Sequence, residues 1–434
     1  MIKIVDMLSK FLNLSPQKET IFVQIASYRD PQLLPTIKDC IEKSKYPENL
    51  RFGIAWQHSS DDIWDNLDEY CDDPRFKIVD INYKDSKGAC WARNQLQQKY
   101  DDEKYTLQLD SHHRFIQDWD VELIQMVKQL QDKGHKKPLL TSYISSFDPD
   151  NDPEGRVNDP WWMTFDRFIP EGAVFFLPAT IPGWQDMTEP IPSRFYSAHF
   201  AFTLGKFCKE VPHDPEYYFH GEEISIAVRA YTWGYDLFHP HKVVAWHEYT
   251  RKGRTKQWDD DPSWGQLNEI SHNRNRILFG VDGICQCKID FSIYGFGKVR
   301  TLQDYEKYAG IRFRDRSVQQ YTLDNNIAPN PIIEDPEVYK QSFLSIFKHC
   351  IDIGFESIPL DDYDIFAVAF EDVDGNELHR QDADITEIQR IKNDPDGYGK
   401  IWRTFSTSVR PSKWIVWPHS ISQGWMDRIE GKIW

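Results

Sequence analysis

The strongest constraint on the fold is a regular alternation of strand-like and helix-like segments that begins at Thr20. Strand-like runs such as ETIFVQIASY and RFGIAWQ are each followed by an amphipathic, helix-like run, four times in succession up to about residue 133. Consecutive β-α units of this kind build a mostly parallel sheet with helices on both faces. The pattern therefore predicts an α/β, Rossmann-like domain, in which ligands bind outside the carboxyl ends of the strands.

The rest of the chain divides by composition. An irregular stretch rich in Pro, Asp, Gly and Trp spans residues 145–192, and its aromatic side chains favour an ordered, substrate-shaping loop over a disordered one. After a later linker, YDIFAVAFEDVDGNELH is typical of a β-hairpin closed by a D-G turn. We therefore predict an amphipathic N-terminal segment (1–19), an α/β domain (20–325) and a small β-rich domain (340–434).

Charge, hydropathy and cysteine content exclude several classes of protein. The net charge of −17 argues against nucleic acid or an anionic membrane as the main partner. We expect no transmembrane segment, because no run of 18 apolar residues occurs, and no secretory signal, because the start lacks an apolar core and a cleavage site. The seven cysteines are scattered, and Cys285 with Cys287 alone is a poor zinc signature. These features predict a cytoplasmic protein with reduced thiols.

The stretch LQLDSHHRF carries the clearest chemical signal, because an apolar strand ends in it with Asp110, Ser111 and His112. Two interpretations are open. Asp, Ser and His are ordinary loop residues at a strand end, but a carboxylate and an imidazole two residues apart are also ligands of divalent metals. A later strand ends in His247, and such a histidine on its own is more often packed in a core than bound to metal.

Charged residues at other element ends complete the candidate site. Cations at a helix start suit a pyrophosphate, and surface ion pairs are the alternative. Glu222 and Glu223 follow Gly221 at a predicted helix start, where a contact with the helix dipole is the plain explanation. The candidate residues for binding a phosphate-containing ligand are Ser27, Tyr28, Arg29, Lys87, Arg93, Asp110, Ser111, Arg251 and Arg254.

Taken together, these blocks resemble a GT-A nucleotide-sugar glycosyltransferase, and more closely the polypeptide (hydroxyproline) N-acetylglucosaminyltransferase family. The resemblance covers about residues 20–320 and rests on the order and spacing of IASYRD, GACWARNQ, QLDSHHRFIQDWD, HEYTRKGR and SHNRNRILFG. The sequence departs from the related mucin-type GalNAc-transferases at His220, which replaces the first glycine of their G-G-E-N pattern, and no lectin repeat follows. Acceptor recognition is therefore not carried over from that group.

The resemblance implies a GT-A fold and a retaining, metal-dependent transfer of a sugar, GlcNAc above all, from a UDP-sugar to a hydroxyl on a protein or glycan. The implied ligands of Mn²⁺ (or Mg²⁺) are Asp110, His112 and His247, with the arginines named above on the diphosphate. The implied catalytic carboxylate is Glu222, with Glu223 beside it, facing the sugar or the acceptor hydroxyl.

Two other functions stay open. A metal-dependent hydrolase would use the same Asp and His residues, but the sequence has no H-E-x-x-H motif and no second cluster rich enough for two metals. A non-catalytic carbohydrate-binding protein would stack sugars on tryptophans of the β-rich domain, which the core of a small β domain explains as well. The tryptophans concerned are Trp402, Trp414, Trp417 and Trp425.

Overall fold

The computed structural model of the protein describes residues 19–169, 171–250, 253–393 and 398–433, so the predicted amphipathic segment lies outside the described residues except for its last position. The chain forms two compact units. The first runs to Ala309 and includes 325–330, and the second consists of 310–324 and the residues from Pro331 onward. Residues 310–324, which the sequence analysis assigned to the α/β domain, contribute two strands to a sheet of the second unit.

The elements of the first unit follow the predicted alternation in its N-terminal half. Its strands are β1 (Ile21–Tyr28), β2 (Leu50–His58), β3 (Phe76–Asn82), β4 (Tyr105–Asp110), β5 (His113–Phe115), β6 (Pro138–Thr141), β7 (Trp161–Phe168), β8 (Val174–Thr180), β9 (Ile191–Pro192), β10 (Phe200–Leu204), β11 (Asp236–His239) and β12 (Ala245–His247). Its α-helices are α1 (Leu33–Lys43), α2 (Asp68–Cys71), α3 (Ala89–Gln97), α4 (Trp119–Asp132), α5 (Phe207–Glu210), α6 (Glu222–Thr232), α7 (Gln257–Asp260), α8 (Trp264–Phe279) and α9 (Leu302–Ala309).

An eight-stranded sheet in the order β3-β2-β1-β4-β10-β6-β11-β9 forms the centre of the first unit. The neighbours β3, β2, β1 and β4 all pair in parallel, as repeated β-α units require. β10 runs antiparallel between β4 and β6. Apolar residues of strands and helices pack together as one core that includes Phe52, Leu107 and Trp119. The predicted α/β class with a mostly parallel central sheet is confirmed.

One predicted helix is shorter than its sequence pattern suggests. The pattern predicts a helix over 61–71, whereas α2 begins only at Asp68. Upstream of it, the carboxylate of Asp62 accepts a hydrogen bond from Arg29 Nε (2.6 Å), and that of Asp65 accepts one from the indole of Trp56 (2.8 Å). These hydrogen bonds to distant side chains hold Asp62 and Asp65 in place, and the segment that contains them forms turns in place of the predicted helix.

The turn after β4 is held from two sides. β4 ends at Asp110, and the antiparallel pairing of β5 with β12 sets His247 opposite His113. The buried hydroxyl of Thr36, on α1, accepts a hydrogen bond from the backbone N–H of His113 (2.8 Å) and donates one to the carbonyl of Ser111 (2.9 Å). Packing of α1 and pairing with β12 therefore fix the DSH segment at the carboxyl edge of the sheet.

The second unit is rich in β-structure, as predicted. Its strands are β13 (Ile311–Arg312), β14 (Ser317–Gln319), β15 (Phe343–Gly354), β16 (Tyr363–Glu371), β17 (Glu377–Arg380), β18 (Tyr398–Thr407), β19 (Lys413–Ser420), β20 (Gly424–Trp425) and β21 (Ile429–Lys432), and its α-helices are α10 (Gln320–Leu323), α11 (Pro336–Gln341) and α12 (Ile385–Lys392). They form the sheets β13-β14-β15-β18 and β17-β16-β19-β20, with β21 beside β19. The predicted hairpin is β16 with β17.

Two further features of the described residues bear on the sequence analysis. Cys285 and Cys287 are joined by a disulfide, which differs from the expected set of reduced thiols, and the other five cysteines are free. The Cα atoms of Cys285 and Cys287 are 5.2 Å apart, a separation that a disulfide readily spans. Within the described ranges, no helix has both the length and the hydrophobicity to cross a lipid bilayer.

Candidate active site

Two clefts of the first unit meet at the tip of β4. The first cleft is lined by, among others, Tyr28, Gln57, Ser86, Gly88, Arg254 and Trp258. The second cleft is lined by, among others, Tyr143, Phe176, His199, Glu222, Glu223 and Tyr249. Both clefts are lined by Arg93, Asp110, Phe219 and His247. The end of β4 therefore lies at the boundary between two concave surfaces of different composition.

The three predicted metal ligands converge at this boundary. Asp110 Oδ2 lies 3.8 Å from His112 Nε2 and 3.6 Å from His247 Nε2, and ligand atoms of all three residues lie within 4.8 Å of one another. Both ring nitrogens of His247 lack a hydrogen-bond partner among the described residues, although the residue is only 6% exposed. Buried polar atoms normally have a partner. An orphaned imidazole nitrogen facing a carboxylate fits a divalent cation of the Mn²⁺ type.

The electrostatics favour the forms of these groups that bind metal. Burial by itself would raise the pKa of Asp110, but the neighbouring His247 and the charge of Arg93 bring it well below its usual value. Burial lowers the pKa of His247 well below that of a free imidazole. The carboxylate is therefore ionised and the imidazole neutral at neutral pH, as metal ligation requires.

A buried carboxylate orients the second ligand. Asp30, 3% exposed, accepts hydrogen bonds from Ser111 Oγ (2.6 Å), His112 Nδ1 (2.7 Å) and Arg254 Nη1 (2.9 Å). Burial opposes its ionisation, but His112 and Arg254 outweigh burial and lower the pKa of Asp30 to about 2. With Nδ1 bound to Asp30, His112 presents Nε2 toward Asp110, which is the usual arrangement of a metal-ligating histidine. Arg254 also pairs with Glu248 (2.8 Å).

Arg93 connects the tip of β4 to the start of α6. Its buried guanidinium donates to Asp110 Oδ1 from Nη2 (2.7 Å) and to Glu222 Oε1 from Nη1 (2.7 Å). The thiol of Cys90 donates to the second oxygen of Glu222. Gly221, just before the helix, has φ +88°, a conformation that L side chains rarely adopt, and its backbone turns Glu222 toward the second cleft.

Glu223 lies in the same cleft with different partners. Its carboxylate accepts hydrogen bonds from the hydroxyl of Tyr143 (2.7 Å) and the backbone N–H of Ala198 (2.9 Å). Burial, aided by the charge of Glu222 and opposed by the Ala198 hydrogen bond, raises the pKa of Glu223 to about 7. A carboxyl group with such a pKa exchanges its proton near neutral pH.

Two predicted donor-binding cations lie outside the first cleft. Arg29 forms ion pairs with Asp62 (2.6 Å) and Asp260 (2.9 Å), so its charge is already compensated. Lys87 is exposed, and its ammonium group lies 5.9 Å from the centre of the Trp91 ring. Arg29 is thus paired with two carboxylates, and Lys87 lies near Trp91 in the first turn of α3. The expectation that these two side chains bind the diphosphate stays a prediction.

The remaining predicted donor-binding residues have mixed positions. Tyr28 lines the first cleft, and its hydroxyl donates to Asp260 (2.8 Å). Ser111 also lines it, whereas Ser27 is completely buried. Arg251 lies outside the described residues.

Sequence reasoning missed several residues of the site. Asp30 and Glu248 directly follow residues that were chosen, Arg29 and His247, and a search for carboxylates beside candidate ligands would have found them. Tyr143 and His199 lie in segments without a motif, and Cys90 was inside a chosen block but had no assigned role. Their places become evident only from the geometry.

Comparisons with known proteins address the family. Residues 20–74 and 68–315 match the family model described as Glycosyltransferase (GlcNAc). No curated protein sequence matches the chain. Among solved structures, GalNAc-T7 with UDP, GalNAc and Mn²⁺ is 15% identical, with a TM-score of 0.43 over 67% of this chain. The chain covers 54% of the length of GalNAc-T7.

Two further solved structures are similar at lower scores. Residues 1–349 of TarS from S. aureus are 11% identical, with a TM-score of 0.36 over 59% of this chain and 72% of that one. The mannosyltransferase PcManGT from Pyrobaculum calidifontis, in complex with GDP-Man and Mn²⁺, is 12% identical, with a TM-score of 0.34 over 58% of this chain and 66% of that one. The family-model match, in contrast, spans more than half of the sequence. The protein belongs to the glycosyltransferase (GlcNAc) family.

Proposed function

We propose that the protein transfers GlcNAc from UDP-GlcNAc to a hydroxyl group on a protein or glycan, with retention of anomeric configuration and with a divalent metal. The observation that carries this proposal is the convergence of Asp110, His112 and His247 beside Arg93, at the boundary of two clefts. The family description and the resemblance to hydroxyproline GlcNAc-transferases support the donor and the protein acceptor. The five free cysteines support a cytoplasmic location, whereas the disulfide between Cys285 and Cys287 argues against it.

The two clefts suggest how the substrates divide. The first cleft combines the rings of Tyr28 and Trp258 with the amide of Gln57, which suits a base and ribose. The boundary, with Arg93 and the three candidate ligands, suits the diphosphate. The second cleft, which holds Glu222 and Glu223, is then left for the sugar and the acceptor.

The cation, when bound, would neutralise the charge that develops on the departing diphosphate. Asp110, His112 and His247 would hold it, and two imidazole donors favour Mn²⁺ over Mg²⁺. Arg93 and Arg254 line the first cleft and would add positive charge beside the diphosphate, although each is already paired with two carboxylates.

Glu222 holds its position through Arg93 and Cys90 and presents its carboxylate to the second cleft. In the retaining reaction that the resemblance implies, the departing phosphate takes the acceptor proton. Glu222 then orients the acceptor or the sugar and stabilises positive charge at the reacting carbon, without acting as a base.

Release of the nucleoside diphosphate from a panel of UDP- and GDP-sugars, with and without Mn²⁺, tests the proposal. We expect hydrolysis of UDP-GlcNAc that EDTA stops and Mn²⁺ restores. Asp110→Ala and His112→Ala should abolish turnover, while Asp101→Ala, at an exposed carboxylate away from the clefts, should leave it unchanged. Undiminished turnover in EDTA, or activity of either ligand variant within a few-fold of the parent, would refute the metal assignment.

A further inference from the structure

The imidazole of His247 is held in an unusual way for a metal ligand. A ligating histidine normally donates its second ring N–H to a carboxylate or a carbonyl, which fixes the rotation of the ring. His112 follows this rule through Asp30. His247 does not, because neither of its nitrogens has a hydrogen-bond partner in the described part of the chain, and 3.6 Å to Asp110 is too long for a hydrogen bond.

Four aromatic rings surround His247 instead. His199 stacks on it face to face, with ring centroids 4.2 Å apart and planes 19° from parallel. Tyr249 meets it edge-on at 4.3 Å, and the rings of His112 and His113 lie at 4.6 Å and 4.9 Å. Only His199 presents a near-parallel face, and such a contact limits rotation of the His247 ring.

His199 is itself firmly placed. It is 7% exposed, its Nε2 accepts a hydrogen bond from the backbone N–H of Ile144 (3.3 Å), and its Nδ1 lies 3.1 Å from Ser197 Oγ. The ring of Tyr143 also stacks on it, at 5.1 Å and 28°. The ring of His199 is therefore fixed by hydrogen bonds at its edge and by stacking with two other rings, His247 and Tyr143.

We propose that His199 is a positioning residue of the metal site. Its ring, rather than its hydrogen-bonding groups, fixes the rotation of His247 so that Nε2 faces Asp110. Stacking on His199 thus fixes the rotation of the His247 ring, as the hydrogen bond to Asp30 fixes the rotation of the His112 ring. This inference rests on the metal site of the proposed function.

Two substitutions separate the ring from its hydrogen bonds. His199→Phe keeps a flat ring against His247 and loses the polar contacts with Ile144, Ser197 and the hydroxyl of Tyr249 (3.3 Å). His199→Gln lacks the ring, but its side-chain oxygen reaches the position of Nε2 and can still accept from Ile144. The measured quantity is the Kd for Mn²⁺ without donor, from the electron paramagnetic resonance signal of free Mn²⁺, with melting temperatures to verify folding.

We expect His199→Gln to weaken Mn²⁺ binding about 10- to 100-fold, as loss of an outer-shell partner does, and His199→Phe to bind within a few-fold of the parent. Equal binding by parent and His199→Gln, or a Phe variant as weak as the Gln variant, would overturn the proposal. Asp110→Ala serves as the reference. If it abolishes Mn²⁺ binding while His199→Gln binds normally, the metal site stands and only the role of His199 fails. If the parent binds no Mn²⁺, the metal site itself fails, and the role of His199 with it.

Discussion

At the scale of single residues, the two neighbouring glutamates at the start of α6 have different environments. Glu222 is bound to Arg93 and Cys90, and Arg93 also binds Asp110 at the tip of β4, in the proposed metal site. Glu223 is bound to Tyr143 and to the backbone of Ala198. Of the two glutamates, Glu222 is the one that shares a hydrogen-bonded arginine with Asp110 of the proposed metal site, so we propose the larger part in the reaction for Glu222.

Glu222→Gln should therefore lower kcat about 10²- to 10³-fold, the loss expected for an electrostatic contact to the transition state. The Kd for the donor should change little, because the contact tightens only as the bond breaks. Glu223→Gln should have a smaller effect on kcat, because Arg93 donates to Glu222, and the single amide oxygen of the variant keeps one of the two hydrogen bonds, from Tyr143 or from Ala198. Measuring kcat, donor Kd and melting temperature for both variants distinguishes this role from a helix-dipole contact. Near-normal kcat with a lowered melting temperature in Glu222→Gln would favour the dipole contact.

At the scale of elements, the turn between β4 and β5 depends on a hydroxyl from helix α1. Thr36 is fully buried and bonds to the backbone of the DSH segment on both sides of His112. The turn is thereby tied to a helix that carries none of the candidate ligands.

Thr36→Val removes the hydroxyl at nearly constant volume and leaves the N–H of His113 without a partner. We expect a loss of about 1–3 kcal/mol in the free energy of unfolding together with weaker Mn²⁺ binding, because the ligands on the turn are no longer held. Thr203→Val is the control: its buried hydroxyl donates to the carbonyl of Pro138 (2.7 Å), away from the turn. Urea unfolding and Mn²⁺ titration check both variants. Equal Mn²⁺ binding by the two would show that the turn does not need Thr36.

At the scale of the whole molecule, the first unit keeps several histidines buried without a charge. His239, at the end of β11, is 1% exposed, and its Nδ1 donates to the carbonyl of Thr141 (3.0 Å). Burial lowers the pKa of His239 to about 3, against the opposing effect of that hydrogen bond. Burial likewise lowers the pKa of His213 well below its usual value.

Stability should consequently fall as the pH falls below about 6.5. Above that value His239 is neutral in both states; below it, and down to about pH 3, only the unfolded chain takes up the proton, so unfolding is favoured. Between about pH 7.5 and about pH 5.5, His239 alone should cost about 1.4 kcal/mol. His239→Asn places an amide N–H near the position of Nδ1, so it keeps a donor for Thr141, and it does not titrate, so its unfolding free energy should fall less over this range. An identical pH dependence in parent and variant would contradict the assignment.

The alternation of strand and helix, read from residue patterns alone, predicted the parallel half of the sheet, and it placed Asp110 at the carboxyl edge. These predictions succeed because periodicity and turn residues act within a few neighbours along the chain. Gly221 likewise predicted a helix that begins with Glu222. The turn before that helix needs a residue with φ +88°, and this requirement concerns the glycine itself and not a distant partner.

Only the tertiary structure decided which charges work together. Arg93 joins Asp110 to Glu222, 129 positions away from the arginine, while Arg29, equally plausible in the sequence, is bound by Asp62 and Asp260. His199, in a segment without a motif, stacks on His247 because β10 and β12 bring their ends together at the tip of β4. A side chain's partners depend on which distant segments meet it, and no short-range pattern contains that information.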